Sequence, residues 1–259
     1  MEHKYIVGNS ADKMLDVKSG SIGLVISSPP YWDKVDYGHK GQMGTGQSFI
    51  HYTDDLFSVL NQCQRVLHPG CKLVINVGDL YVSNPYHIVS LQTEIISWAL
   101  STQMFDFMGS IIWIKMAGTK PSGGGTFMGS IYYPRDGCIT YEHEYILIFK
   151  KHGNAPVPTR EQKKLSKLTK EQRSKWFRGI WNLQPERNRD HPAPFPVELP
   201  ERIVRMFSYY REYVLDPFAG SGSTALAADN AGRQSISFDI KFEYTKTAKR
   251  RVPNMLIDT

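Results

Sequence analysis

Two short segments of the chain carry residue types whose spacing could do chemistry. The first is Ser28-Pro29-Pro30-Tyr31, where a hydroxyl and an aromatic ring flank two prolines. The prolines remove two backbone donors and fix the local backbone, so acceptors beside them would be held in place. A surface turn is the alternative reading, since Pro-Pro pairs are common in loops. The second segment runs from Asp216 to Ala225, and its Gly220-x-Gly222-x-x-Ala225 fits the glycine turn of dinucleotide sites. Glycine suits that turn because the backbone bends sharply and must approach a ligand with no Cβ in the way. Asp239 lies 19 residues beyond Gly220, where a carboxylate can accept hydrogen bonds from ribose hydroxyls. Turn and acid together indicate an adenosine-containing cofactor. A phosphate-binding loop is disfavoured because no Lys precedes Ser223 or Thr224, whereas NAD stays open at this point.

Such segments need strand ends to hold them. Short apolar runs alternate with longer amphipathic ones, the pattern of a parallel α/β sheet. Residues 22–27 read as a buried strand that ends on Ser28. Residues 33–47 contain Gly38, Gly41, Gly44 and Gly46 with few large apolar side chains and read as a mobile loop. A helix over 49–67 follows, with Leu56, Val59, Leu60 and Val66 at helical spacing, stopped by His68-Pro69-Gly70. Further strands are expected at 72–77, 109–115, 141–149, 213–215 and 235–240, and helices at 88–100, 198–210 and from 224. Only 37 residues follow Gly222, too few to complete a dinucleotide-binding half unless earlier segments finish the sheet. The expectation is a circularly permuted Rossmann-like α/β sheet.

With 259 residues, the chain suffices for one large domain carrying a small insertion. Its 41% hydrophobic and 22% charged residues argue against disorder. The net charge of +6 permits an anionic partner, and the charge is local: residues 150–190 hold 12 Lys or Arg against 4 Asp or Glu. No apolar run reaches the roughly 18 residues of a membrane span, and the N-terminal MEHKYIVGNS lacks a signal-peptide stretch, so a cytoplasmic location is expected. Cys63, Cys71 and Cys138 are odd in number and widely spaced, which favours a reducing compartment and no structural metal.

Ser28-Pro29-Pro30-Tyr31, followed late in the chain by the Asp216 to Gly222 segment, resembles the amino-group (N4-cytosine/N6-adenine) DNA methyltransferases. The match is to the subgroup whose catalytic motif precedes the cofactor motif. It covers nearly the whole chain, taking in Gly8-Asn9-Ser10, the helix exit at 65–70, the strand at 143–150 and the segment 192–205. The resemblance implies an S-adenosylmethionine-dependent methyltransferase sheet with a small target-recognition insertion. Residues 1–150 would form its catalytic part, 151–190 the recognition region and 191–259 the cofactor-binding part. The implied reaction moves a methyl group from S-adenosylmethionine, leaving S-adenosylhomocysteine, to an exocyclic amine in a short duplex DNA site, with no metal.

That amine is a poor nucleophile because its lone pair is delocalised into the base, so acceptors that hold its N–H groups out of the ring plane would help. In the family's pattern Ser28 and the Pro29 carbonyl are those acceptors, Pro30 stiffens the turn, and Tyr31 stacks on a base flipped out of the duplex. Trp32 would line the same pocket or be plain core. Phe218, Gly220, Gly222, Ser223 and Thr224 would surround the methionine moiety, Asp239 the ribose, and Phe238 or Ile240 the adenine faces. Asn9 and Ser10, where the family often has an Asp, would approach the adenine amino group. His191-Pro192 and Phe195-Pro196 would close over the methionine end or simply lead into a helix. The basic segment, interleaved with Trp176, Phe177 and Trp181, would neutralise phosphates, with base edges read there or from 117–136. The alternative for 161–178 is a solvated charged helix.

A Ser in first position is associated more with cytosine N4, and Asp or Asn with adenine N6, so N4-cytosine leads and N6-adenine is the alternative. The C5-cytosine class needs a nucleophilic Cys after Pro, which none of the three cysteines provides. An RNA-base or protein-glutamine methyltransferase would normally have the reverse motif order. A non-catalytic DNA-binding protein would not need both motifs intact. Duplex DNA is the expected partner, a separate restriction endonuclease is a candidate one, and the oligomeric state is open.

Overall fold

The computed structural model describes residues 1–83, 86–115, 141–184 and 196–259. Its strands are β1 (His3–Val7), β2 (Ile22–Ser27), β3 (Leu67–Val77), β4 (Leu80–Ser83), β5 (Tyr86–Val89), β6 (Phe105–Lys115), β7 (His143–Lys151), β8 (Ile180–Leu183), β9 (Tyr213–Asp216), β10 (Gln234–Asp239) and β11 (Leu256–Asp258). Nine of them form one sheet in the order β11-β1-β10-β9-β2-β3-β7-β6-β8, and β4 and β5 form a separate hairpin. Within the large sheet β7 runs antiparallel to both its neighbours, and the remaining pairings are parallel. Eight strands therefore end on the same edge.

β2 lies near the middle, and all six of its residues are buried. Such a strand must be apolar on both faces, as Ile-Gly-Leu-Val-Ile is. One face is covered by α1 (Ser10–Lys13), α2 (Phe49–Val66) and α3 (Leu91–Ser101). In α2, Tyr52, Leu56, Val59, Leu60, Cys63 and Val66 recur at helical spacing and are buried, and the Ser48 hydroxyl caps its start by accepting from the His51 N–H. The other face carries α6 (Glu198–Phe207), α7 (Ser223–Asn230) and α8 (Tyr244–Arg251). Two short helices, α4 (Arg160–Leu165) and α5 (Lys170–Trp176), complete the set. No helix among the described residues is long and apolar enough to cross a membrane.

The permuted α/β sheet is present as expected. The helix expected at 88–100 starts only at Leu91, because Tyr86–Val89 instead pairs with Leu80–Ser83. β1 and β11 were not anticipated: each is short, and each extends the sheet only by pairing with residues more than 200 positions away or at the chain's end.

The basic segment follows β7. After β7, Gly153 packs on Pro69, and Ala155 lies against Gly70, at the start of β3. Gln162 donates to the Tyr210 carbonyl at 3.0 Å and the Tyr210 N–H donates to Ser166, just before β9 begins. Residues 152–178 therefore run along the edge where the parallel strands start, opposite the edge where β2 ends. The composition that suggested one helix over 161–178 instead forms two, because Thr159 with Gln162 and Thr169 with Gln172 each build a capping box. Trp181 is core: it is 1% exposed on β8, donates to the Trp176 carbonyl and packs under the Arg202 guanidinium. The segments 117–136 and 185–190 lie outside the described residues.

Candidate active site

Four strand ends meet at one cleft. β2 delivers Ser28, Pro29, Pro30 and Tyr31; β9 delivers Phe218, Gly220 and Ser223; β1 delivers Asn9 and Ser10; β10 delivers Asp239 and Ile240. The space between them, counted out to open solvent, is about 1020 Å³. Ser28 and Gly220 are far apart in sequence, yet β2 and β9 are hydrogen-bonded neighbours with Leu24 opposite Val214 and Val25 opposite Leu215. That adjacency brings the two motifs together.

The glycine turn is locked from several sides. The Asp216 carboxylate accepts from the Phe218 N–H at 3.0 Å and from the Thr224 hydroxyl at 2.5 Å. Burial pushes the Asp216 carboxyl up to about 7, with the Thr224 and Phe218 hydrogen bonds pulling the other way. Gly220 and Gly222 have φ of 49° and 82°, the left-handed region that favours glycine. A Cβ on Gly222 would come within 2.9 Å of the Ala248 Cβ on α8. Tyr5 donates to the Gly220 carbonyl at 2.7 Å, and Ser10 to the Pro217 carbonyl at 2.5 Å, tying β1 to the turn.

Asp239 faces the turn from the end of β10. One of its oxygens accepts from the Gly220 N–H at 2.8 Å, the other from the Lys241 N–H at 2.9 Å. A carboxylate offers about four lone-pair sites, so these bonds and one from the Ile240 N–H leave room for a further donor. Burial raises this carboxyl's pKa, and the backbone N–H groups oppose the shift.

On the catalytic-motif side, the Pro30 carbonyl accepts from Tyr52 of α2 at 2.8 Å, which fixes the turn against the helix. Ser28 is half-buried, and its hydroxyl has no hydrogen-bond partner among the described residues. The Tyr31 hydroxyl donates to Glu144 at 2.6 Å. Burial and the Glu144 carboxylate hold the Tyr31 phenol well above its ordinary range, so it stays protonated. Trp32 does not border the cleft: its indole donates to the Gln47 carbonyl and its ring packs edge-on to Phe49 at 5.2 Å.

The motif residues divide by position. Gly222 and Thr224 stand behind the cleft wall, the first packed on α8 and the second bonded to Asp216. Phe238 is buried in the core, whereas Ile240, just past the end of β10, borders the cleft. Asn9 lines the cleft and also caps α1, accepting from the Ala11 N–H at 2.9 Å. His191 and Phe195 lie outside the described residues. Residues 33–47, read as a loop, contain no helix or strand and line the site: Tyr37, Gln42 and Met43 border the cleft, and Lys241 donates to the Tyr37 carbonyl at 2.7 Å. Tyr244, Ser221 and Lys241 are further cleft residues that sequence reasoning missed. Ser221 could have been inferred from the turn; Lys241 and Tyr244 follow Asp239 with no motif to mark them.

A mostly parallel sheet, with its glycine turn and ribose-type acid at one edge and a Pro-Pro turn beside them, defines a class of group-transfer enzyme built on an adenosine-containing cofactor. Comparison with known proteins makes the class specific. The DNA methylase family model for N6 and N4 enzymes matches residues 22–250, and the chain belongs to that family. It is 31% identical to the type II methyltransferase M.MthZI of Methanothermobacter thermautotrophicus, over 98% of this chain and 77% of the relative. It is also 31% identical to M.MjaI of Methanocaldococcus jannaschii, over 92% of this chain and 87% of the relative. Among solved structures, a Thermus thermophilus protein assigned as a DNA modification methylase, in complex with S-adenosyl-L-methionine, superposes with a TM-score of 0.80 at 32% identity, covering 99% of this chain and 98% of that one. The cytosine-N4-specific PvuII DNA methyltransferase shares the fold, with a TM-score of 0.72 at 19% identity. The protein is thus an S-adenosylmethionine-dependent amino-group DNA methyltransferase.

The cleft fits that cofactor. The turn at Gly220 approaches without a side chain in the way, the Asp239 carboxylate faces the turn from β10, and Phe218 and Ile240 give apolar contact.

Proposed function

We propose that the chain methylates the exocyclic N4 amine of cytosine within a short duplex DNA site, with Ser28 to Tyr31 as the reacting surface. The observation that carries this reading is the Ser28 hydroxyl, without a hydrogen-bond partner among the described residues, beside the glycine turn on the same cleft, in a motif whose first residue is Ser. Ser28 and the Pro29 carbonyl accept the two amine N–H groups and keep the nitrogen lone pair out of conjugation. Tyr31 packs on the face of the flipped base, where stacking offsets part of the unstacking cost. Asp239 binds the ribose hydroxyls, Ile240 an adenine face, and Phe218, Gly220 and Ser223 the methionine end, with Asn9 and Ser10 near the adenine amine. His191 and Phe195 are assigned to the same methionine end. S-adenosylmethionine, when bound, supplies a methyl group on a sulfonium. The protein's contribution is alignment, since fixing donor and acceptor in line removes most of the entropic barrier.

The duplex docks on the edge where β2, β6 and β8 end, which leaves residues 152–178 facing away from it. The names of the archaeal relatives support a place beside a cognate endonuclease in a type II system. Nucleoside analysis of DNA modified in vitro tests the base assignment. N4-methylcytosine is expected, and N6-methyladenine as the product would overturn the cytosine reading while keeping the family.

A further inference from the structure

We propose that Glu144 positions Tyr31 for the reaction, tethering the phenol so that its ring stays at the angle needed to pack on the target base. The inference rests on the stacking role given to Tyr31 above. Tyr31 follows a rigid Pro-Pro turn, so its backbone is fixed, but its side chain retains rotation about two bonds. A ring that is to receive a base without rearrangement needs a second point of attachment, and the hydroxyl is the one polar handle it has.

Glu144 is built to be that attachment. It sits at the start of β7, opposite Trp113 of β6, and is 6% exposed. One carboxylate oxygen accepts from the Tyr31 hydroxyl at 2.6 Å and also pairs with the Lys115 ammonium. Its other oxygen accepts from the Asn76 amide at 2.7 Å. Lys115 is in turn placed over the Trp113 ring, 5.1 Å from its centroid. A buried carboxylate is costly unless its charge is paired and its oxygens are bonded, and here three strands each supply one element: Asn76 from β3, Lys115 from β6 and Glu144 itself from β7. Gly78 completes the fit, since a Cβ there would come within 3.2 Å of the Glu144 Cγ. This much of the sheet end converges on a group that does not border the cleft and, among the described residues, meets it through Tyr31. Glu144 is therefore a positioning residue.

The test compares Tyr31→Phe, Glu144→Ala, Glu144→Gln and the Tyr31→Phe/Glu144→Ala double variant with wild type, measuring kcat and KM for methyl transfer to duplex DNA and the Kd for S-adenosylmethionine. Glu144→Ala and Tyr31→Phe should each lower kcat about tenfold or more, with cofactor Kd within about twofold of wild type. The double variant should be no worse than the poorer single one, because both remove the same tether. Glu144→Gln keeps an acceptor for the phenol and should recover most of the lost kcat. Should Glu144→Ala fail to fold, Tyr31→Phe breaks the tether from the other side and leaves the Lys115 and Asn76 contacts in place. Full activity in Tyr31→Phe, multiplying losses in the double variant, or a Glu144→Ala defect seen only in cofactor Kd would each overturn the proposal while wild-type activity upheld the functional reading. No transfer by wild type would overturn both.

Discussion

At the scale of single residues, the cleft separates groups that hold the cofactor from groups that meet the base, and substitutions should separate them too. Tyr31→Ala removes the stacking surface, worth about 1–3 kcal/mol per base, and should cut methyl transfer about tenfold to hundredfold or more while leaving S-adenosylmethionine affinity within about threefold. Asp239→Ala removes a charged acceptor, for which hydrogen bonds contribute about 1.5–3 kcal/mol, and should raise the cofactor Kd about tenfold to hundredfold before it alters turnover at saturation. Isothermal calorimetry alongside steady-state kinetics distinguishes the two. Asp216 makes a different prediction, about stability. Its carboxyl is pushed up to about 7 from an unfolded value of 3.8, so between those values the folded protein holds the proton that the unfolded chain releases. Stability from this group therefore falls as pH rises from about 4 to about 7 and is lowest above that range. Asp216→Asn keeps both hydrogen bonds if the Thr224 hydroxyl turns to accept, and removes the charge. Denaturant melts should show the variant gaining on wild type at pH 8, by up to about 4 kcal/mol, with the gain vanishing toward pH 4. A gain independent of pH would mean that Asp216 does not titrate in this range.

At the scale of elements, the glycine turn is where conformation and packing impose the same residue. Gly222 needs a left-handed φ and also lets α7 approach α8, so Gly222→Ala adds backbone strain and a contact at 2.9 Å. The variant should lose about 1–3 kcal/mol of stability in chemical denaturation, whether or not cofactor is present. Elements with a strong local signal were legible in the sequence. β2 is apolar throughout and ends on two prolines, α2 has helical spacing and a Pro-Gly stop, and the β9 to α7 turn has its glycines. Elements whose existence depends on a remote partner were not. β1 is a pentapeptide, His-Lys-Tyr-Ile-Val, that forms a strand by pairing with β10 and β11, and Tyr86–Val89 is a strand because Leu80–Ser83 folds back on it. The glycines and the scarcity of large apolar residues marked 33–47 as a loop but not as part of the cleft; the Lys241 contact to the Tyr37 carbonyl comes from the far end of the chain.

At the scale of the whole molecule, the permuted sheet explains how a catalytic turn near the N-terminus and a cofactor turn near the C-terminus share one cleft, since β2 and β9 are adjacent. The pairing was inferable from motif order. The placement of positive charge was not, because composition reports how much charge a segment carries and not which edge of a sheet it borders. Lys163 and Lys164 are exposed on α4, at the edge opposite the cleft. Replacing both with Glu should change the KM for DNA by less than about twofold at moderate salt, beyond the reach of screened charges. A large rise in that KM would show that the duplex reaches around the molecule. Transfer of labelled methyl from S-adenosylmethionine to duplex DNA, measured for wild type beside Tyr31→Ala and Asp239→Ala, tests the central claim most directly. Label in acid-stable, amino-methylated nucleoside with wild type, reduced in Tyr31→Ala at any cofactor concentration and in Asp239→Ala below saturation, is the predicted result. Wild-type protein that binds the cofactor and leaves varied duplex DNA unlabelled would contradict the account.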